Sequence, residues 1–386
     1  MTDISSIDLK PILKARGNYC LSVYMPTTPV ATDWNENSVR LKNLIRKAEK
    51  ELEQQNADKT LIRNLSAPLW NLQEDTRFLQ EMKNGAVFFS GPDFFEYYLF
   101  PVEVQEIAIA SDLFYMKPLF NLFTYNTRYY LLVLSKHKIA LYKADRFTIK
   151  EIEIPDSPKN LEDFLRFDEE QKQLQFHTRA PGHGNTRAAM FHGQGVGTDK
   201  KKEKEKSARY IQAAEQAVSD FLSKETLPLI LTGDEHLQGI YRKHNSYKNM
   251  TDENITGNPD RLKPHELLNK GWEVASRIAD QNIQKSVQEF HNEHSDNKTT
   301  GEIETVLPSA FYGKIDTLFI SHEDLVWGDF KEETASVDQF DQWKPGAVEL
   351  LDTALHFTLM NGNGKVYVLK KEHMPDHAKT GAVYRY

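Results

Sequence analysis

The sequence predicts a protein of three domains that combine α+β and α/β architecture. Its 386 residues exceed what one hydrophobic core usually serves, so we expect more than one domain. Short apolar runs typical of strands alternate with longer stretches in which apolar residues recur every three or four positions, as in helices. The chain is 39% hydrophobic and 11% aromatic, enough to give each domain a core. We place the domains at residues 1–118, 119–263 and 264–386.

The first domain is predicted to combine a sheet with two long helices. An alternating apolar run that ends at Pro26 indicates the first strand. Two stretches with helical spacing follow it, and two further apolar runs come after them. The predicted elements are a strand at 19–25, helices at 38–52 and 59–82, a strand at 86–89 and another strand pair within 94–104.

The second domain is predicted to open with three neighbouring antiparallel strands, because short turns separate its first three apolar runs. A helix with one apolar stripe, from Tyr210 to Leu222, and a buried strand complete it. The predicted strands are 129–134, 139–143, 149–154 and 227–231. The stretch 177–198 has no periodicity and is too long for an ordinary connection, so it is either functional or disordered.

The third domain is predicted to be an α/β sandwich, since helices and strands alternate along it. The predicted elements are helices at 264–291 and 346–359 and strands at 315–321 and 365–369.

Charge is distributed unevenly along the chain. The formal net charge of -8 argues against a protein that coats nucleic acid non-specifically. Between His177 and Arg209, however, eight cations face only three acids. A solvated helix face would explain this, and so would a surface that binds RNA phosphates. The eight candidates for RNA binding are Arg179, Arg187, Lys200, Lys201, Lys202, Lys204, Lys206 and Arg209.

Several other kinds of site find little support in the sequence. The one cysteine, Cys20, lies in an apolar run and is expected to be a buried thiol. His177, His183 and His192 lack cysteine partners and the spacing of known zinc sites, so we predict no metal and no cofactor. No apolar run reaches membrane-spanning length, and we expect a cytoplasmic protein.

Two glycine-rich strings precede a helix with a basic start. The strings are His183-Gly184-Asn185-Thr186-Arg187 and Phe191-His192-Gly193-Gln194-Gly195-Val196-Gly197, followed by Lys200 to Phe221. Together they resemble the middle domain of the archaeo-eukaryotic class 1 release factor and Pelota superfamily, in its bacterial branch. The closing residues Gly381 to Tyr386 and the strand Ile315 to Ser321 resemble parts of that superfamily's C-terminal domain. The resemblance implies an RNase H-like middle domain and a C-terminal domain like those of kink-turn-binding ribosomal proteins.

In that superfamily a Gly-Gly-Gln tip enters the peptidyl transferase centre and helps water attack the ester of peptidyl-tRNA. The resemblance therefore implies His192, Gly193, Gln194 and Gly195 as catalytic candidates. His192 replaces the first glycine, and a positive φ there would cost it about 1 kcal/mol. The stop-codon readers of the superfamily carry Asn-Ile-Lys-Ser at a helical hairpin tip, and the segment that we align with it, 33–40, lacks that motif.

These features predict a ribosome-associated A-site factor that acts in rescue or hibernation. Its partners would be ribosomal RNA at the peptidyl transferase and decoding centres, with a translational GTPase as a further candidate. Two alternatives stay open. One is a release-factor-type peptidyl-tRNA hydrolase in which Gln194 is catalytic. The other is a stress-linked adaptor that binds a translational GTPase through the acidic residues Glu323, Asp324, Asp329, Glu332 and Glu333.

Overall fold

The computed structural model describes residues 9–15, 17, 19–29, 34–167, 196–294 and 298–386, with residues 34, 196–201 and 294 described by their backbone alone. The chain forms two compact units. Unit 1 comprises Met1–Asn126 and Ala279–Tyr386, and unit 2 comprises Thr127–Ile278. The predicted mixture of helices and sheets is confirmed in both units. The division into three domains at residues 118 and 263 remains a proposal.

The first part of unit 1 is a four-stranded antiparallel sheet covered by helices. The strand order is β3-β2-β1-β4, and the central strand β2 is buried along its whole length. Leu41, Ile45 and Ala48 are fully buried where helix α2 packs on the sheet. The elements are α1 (Leu9–Lys14), β1 (Cys20–Pro26), α2 (Trp34–Gln54), α3 (Lys59–Glu74), α4 (Thr76–Glu81), β2 (Gly85–Gly91), β3 (Phe94–Phe100), β4 (Ile107–Ser111) and α5 (Lys117–Thr124).

Two predictions in this part needed correction. The helix predicted over 59–82 is interrupted at Asp75, whose backbone N–H bonds the carbonyl of Leu72 while its side chain accepts from the N–H of Phe78 at 3.1 Å. One residue thus ends α3 and caps α4, which helical periodicity does not reveal. The apolar run 94–104 yields only β3, and the strand that pairs with the free side of β1 is β4, further along the chain.

Cys20 in β1 is 1% exposed, as expected of a buried thiol, and burial, with a smaller effect of Asp112, raises its pKa to about 12. We expect the native thiol to react with a disulfide reagent at pH 8 roughly a thousandfold more slowly than in urea, because so little thiolate is present. Since its pKa is raised on folding, the stability from Cys20 is lost as pH rises above its usual value of 9.0. Timed labelling of this single thiol checks the expectation, and rapid labelling of the native protein would contradict it.

Unit 2 is built on one five-stranded sheet in the order β7-β6-β5-β8-β9. The predicted antiparallel arrangement of the first three strands is confirmed, while β5, β8 and β9 run parallel. Strand β5 alternates between two cores: Tyr130 and Leu132 pack towards α7 and α8, and Tyr129 and Leu131 pack towards α9. The elements are β5 (Tyr129–Leu134), β6 (Ile139–Ala144), β7 (Ile149–Ile152), α6 (described over 161–167), α7 (Val196–Phe221), β8 (Leu229–Gly233), α8 (Glu235–His244), β9 (Ile255–Thr256) and α9 (Pro264–His294).

The second part of unit 1 contains a mixed four-stranded sheet in the order β10-β16-β11-β15 and a small sheet in the order β13-β12-β14. The predicted strands 315–321 and 365–369 are confirmed as β11 and β15, which run parallel. The small sheet was not predicted. The elements are β10 (Thr299–Thr300), α10 (Ile303–Phe311), β11 (Ile315–Ser321), β12 (Trp327–Lys331), β13 (Ser336–Phe340), β14 (Val348–Glu349), α11 (Leu350–Phe357), β15 (Lys365–Leu369) and β16 (Thr380–Tyr384).

The helix predicted over 346–359 is shorter in the structure, because β14 occupies its predicted start. Glu349 ends β14, and its side chain accepts from the N–H of Asp352 at 2.9 Å, so it caps α11. After Phe357 the chain continues as a π-helical turn, Thr358–Gly362. Pairing of β14 with β12 across the small sheet therefore moves the helix start by four residues.

A buried charged network connects the two parts of unit 1. Lys117, whose side chain is 1% exposed, lies 3.5 Å from the carboxylate of Glu349 and donates to the carbonyl of Asp324 at 2.6 Å. Asp352 accepts from the backbone N–H groups of Met116 and Lys117 at 2.8 and 2.6 Å, and so caps α5 from a distant part of the chain. Burial, with a smaller effect of Glu349, raises the pKa of Asp352. Breaking such a network is costly because it leaves a charge buried without its partner.

Candidate nucleic-acid interface

The part of the predicted basic segment from Lys200 to Arg209 lies in the first half of α7, a helix of 26 residues. The helix packs through a stripe of fully buried residues, and this stripe fixes about its carboxyl-terminal half to the sheet. The buried stripe begins only at Ser207 and Tyr210. Residues 202–205, which come before it, are exposed, so their charges are available to solvent. The stripe consists of Tyr210, Ile211, Ala214, Val218 and Leu222.

The structure places only some of the eight RNA-binding candidates. Lys202 and Lys204 are exposed on α7, and Lys206 and Arg209 are half-buried. Lys200 and Lys201 belong to the helix, but their side chains lie outside the described residues. Arg179 and Arg187 also lie outside the described residues, as do the catalytic candidates His192, Gly193, Gln194 and Gly195 and the histidines His177 and His183.

Tyr210 ties α7 to the hairpin between β5 and β6. Its hydroxyl is buried and donates to the carbonyl of Ser135 at 3.1 Å. Burial, with a smaller effect of Asp260, raises its pKa. Ser135 accepts from the backbone N–H of Lys138 at 2.9 Å and donates to Asp260 at 2.5 Å. These bonds hold the hairpin turn rigidly beside the basic part of the helix.

Lys136, in this turn, is a cation of the same surface that the sequence did not reveal. Its ammonium lies 2.7 Å from the carboxylate of Glu203 on α7 and holds the pKa of that carboxyl below its usual value. Both side chains remain half exposed, so the pair adds little stability. The effect of this ion pair is electrostatic, because the positive charge of Lys136 offsets the negative charge of one of the acids within the basic part of α7. A turn was predicted here, but nothing in the sequence indicated its partner 67 residues away.

A cleft of about 360 Å³ lies at the carboxyl ends of the parallel strands β5, β8 and β9, where open α/β sheets usually bind ligands. Its two aspartates already have partners in the protein. Asp234 accepts from the N–H of His236 at 2.9 Å and caps α8, and Asp260 accepts from Ser135. Among the residues that the structure describes, no three His, Cys, Asp or Glu side chains are grouped to hold a metal. The exposed basic surface of α7 is therefore the stronger candidate site in unit 2.

The helical hairpin of unit 1 corrects the alignment with stop-codon readers. Residues 34–40 of the aligned segment lie at the start of α2, whereas the turn between α2 and α3 is Gln55-Asn56-Ala57-Asp58. This turn also lacks Asn-Ile-Lys-Ser. Arg40 is engaged within the protein, donating to the carbonyl of Pro26 at 2.7 Å and lying 3.4 Å from Glu106.

The structure gives the surroundings of three acidic residues of the adaptor hypothesis, Asp324, Asp329 and Glu332. Asp324 accepts from the hydroxyl of Ser321 at 2.7 Å and lies 3.8 Å from Lys371. Burial, with smaller effects of Asp329 and Glu332, raises the pKa of Asp112, so these two acids lie near a third that the sequence did not associate with them. In the described parts of the chain, no helix has the length and apolar character needed to cross a membrane.

Comparisons with known proteins identify the region that contains α7. Residues 129–277 match the family model described as bacterial archaeo-eukaryotic release factor family 7. A comparison with curated protein sequences gives no match.

Three solved structures are similar to the chain. The archaeal translation termination factor aRF1 is 13% identical, with 98% of this chain and 96% of that chain covered and a TM-score of 0.22. Archaeoglobus fulgidus Pelota is 12% identical, with 78% and 79% covered and a TM-score of 0.30. S. cerevisiae Dom34, described as a translation termination-like factor interacting with Hbs1, is 12% identical, with 81% and 82% covered and a TM-score of 0.38. At these TM-scores the structures add no argument to the family match.

The matched region contains the hairpin turn of Lys136, the whole of α7 and the predicted glycine-rich loop that precedes it. Over residues 129–277, the chain is similar to the bacterial branch of the archaeo-eukaryotic release factor superfamily.

Proposed function

We propose that the protein is a cytoplasmic, ribosome-associated factor that occupies the A site and acts in ribosome rescue or hibernation. One observation carries the proposal: the exposed lysines Lys202 and Lys204 lie on a helix that directly follows the Gly193-Gln194-Gly195 segment, within the region that matches the family. On a chain of net charge -8, a local cationic surface steers that surface towards phosphate. Ribosomal RNA supplies such phosphates, and the family resemblance implies a translational GTPase as a second partner.

Ribosome binding is tested by sedimentation of the purified protein through sucrose gradients with idle or stalled ribosomes. We expect the protein to migrate with both kinds of ribosome and to compete with a factor that occupies the A site. Migration at the top of the gradient in every condition would refute the proposal and would favour a free-standing enzyme.

A second candidate function is peptidyl-tRNA hydrolysis, which the glycines on both sides of Gln194 favour. We expect the wild-type protein to release no more peptide than buffer from ribosomes loaded with peptidyl-tRNA, because His192 replaces a glycine of the family motif. Peptide release is measured for wild type, Gln194→Ala and His192→Gly, with ribosome binding as the control. Rapid release by wild type that falls about a hundredfold or more in Gln194→Ala, with binding unchanged, would instead make the protein a hydrolase.

A further inference from the structure

A second cationic surface lies in unit 1, where the end of α10 meets the π-helical turn after α11. The side-chain amide of Asn361 donates to the carbonyl of Phe311 at 2.8 Å, and Arg385 donates to the carbonyls of Ile315 and Gly362. The two segments approach so closely that a Cβ on Gly313 would lie 2.8 Å from the carbonyl oxygen of Asn361. The backbone here is thus a tightly packed platform.

The platform presents an aromatic ring to solvent. Tyr312 is 61% exposed, although its neighbour Phe311 is fixed in an aromatic cluster with ring distances of 5.5 Å to Phe330 and 5.1 Å to Phe357. The exposure of Tyr312 therefore does not result from a loosely held segment. Met360, which is 37% exposed, lies on the π-helical turn beside it in the fold. Large apolar side chains grouped on a packed surface are commonly binding groups.

One cation lies close to this ring, and two others lie on the segments that form the platform. The ammonium of Lys314 lies 5.7 Å from the centroid of Tyr312, and Lys365 is exposed where β15 begins, directly after the turn. Among the described residues, neither of these lysines nor Arg385 has an ion pair with a carboxylate. The nearby carboxylate of Asp316 accepts from the hydroxyl of Thr317 at 2.9 Å. The side chains of Arg385 and Asn361 also satisfy backbone carbonyls of this platform. Among the described residues, the side chains of Tyr312, Lys314 and Lys365 show no such hydrogen bond.

We propose that the surface formed by Tyr312, Lys314, Met360, Lys365 and Arg385 binds single-stranded RNA. A rigid exposed ring offers a face on which a base stacks, and flanking cations contact the phosphates on either side of it. An acidic protein partner would pair with the cations of this surface but would offer no base to stack on the ring of Tyr312. The inference goes beyond the proposed ribosome binding through α7, since it concerns different residues in the other unit.

The test uses fluorescence anisotropy with a labelled single-stranded RNA of about ten nucleotides. The parent protein carries Lys200→Glu, Lys201→Glu, Lys202→Glu and Lys204→Glu, so that RNA binding by α7 does not obscure the result. In this parent we expect Tyr312→Ala to weaken binding by about five- to a hundredfold and Tyr312→Phe to retain it, because only the latter keeps a stacking face. Lys314→Glu should weaken binding and reduce its salt dependence.

The matched control is Lys379→Glu, which makes the same charge change at an exposed lysine just before β16, at the opposite end of the strand from Arg385. It should leave RNA binding unchanged. Absence of RNA binding in the parent, equal losses in Lys379→Glu and Lys314→Glu, or an unaffected Tyr312→Ala would each overturn the inference. Tighter binding of an oligoglutamate peptide than of RNA would also overturn it. None of these results depends on ribosomes, so failure of the inference and failure of the proposed function are distinguishable.

Discussion

Replacing Lys200, Lys201, Lys202 and Lys204 by glutamate is expected to weaken ribosome binding by about a hundredfold or more. These residues occupy the part of α7 that precedes its buried stripe, and the exchange reverses their charge. Lys202 and Lys204 are exposed, so their replacement removes no core contacts. Wild-type affinity should also fall steeply with added salt, because each phosphate contact releases a counterion. Co-sedimentation at a series of salt concentrations measures both effects, and the variant should show the shallower salt dependence.

A matched control separates a local surface from net charge. Four lysines are exposed elsewhere in unit 2: Lys224, Lys243, Lys248 and Lys270. Replacing all four by glutamate gives the same net charge as the fourfold replacement in α7. This control should bind ribosomes with an affinity within about threefold of wild type. Equal losses in the two variants would mean that net charge alone governs binding, and the interface assigned to α7 would then be wrong.

Replacing Lys117 by methionine is expected to destabilise unit 1 by about 3–5 kcal/mol, because the carboxylate of Glu349 would stay buried without its cation. Hydrogen exchange resolved by peptide measures the effect where it arises. Exchange should accelerate in β1 and α11, which belong to unit 1, and should not change in β5 of unit 2, which serves as the internal control. Unchanged protection of β1 and α11 would show that the network contributes no stability.

Asp352→Asn distinguishes the roles within the network. The asparagine oxygen can still accept from the N–H groups of Met116 and Lys117, so we expect a smaller loss than for Lys117→Met. The pKa of Asp352 is raised on folding, so the stability it contributes is fully present below its usual pKa of 3.8 and is lost as pH rises through the folded value. Asp352→Asn should remove that part of the pH dependence. A loss as large as that of Lys117→Met would contradict this assignment.

The sequence alone predicts those helices and strands in which apolar residues recur at regular spacing over a few positions. Apolar periodicity predicts strands β1, β5, β6 and β11 and the amphipathic part of α7. Alternation of apolar residues in a strand, and the i, i+3, i+4 stripe in a helix, each specify which face is buried. The excess of cations before Tyr210 is equally a property of the sequence. So is the order of the glycine-rich strings and the basic helix, which indicated the superfamily.

Contacts between residues that are far apart in the sequence became apparent only in the tertiary structure. Asp352 caps a helix that starts 235 residues earlier, and Glu203 pairs with Lys136 across 67 residues. Neither partner is marked in the sequence, because a capping or ion-pairing carboxylate looks like any other acid until the chain folds. The small sheet β12 to β14 was missed for a related reason: its strands are short and incompletely buried, so they carry little apolar alternation. Exposure of Tyr312 likewise follows from packing of Phe311 into the aromatic core, which no local pattern specifies.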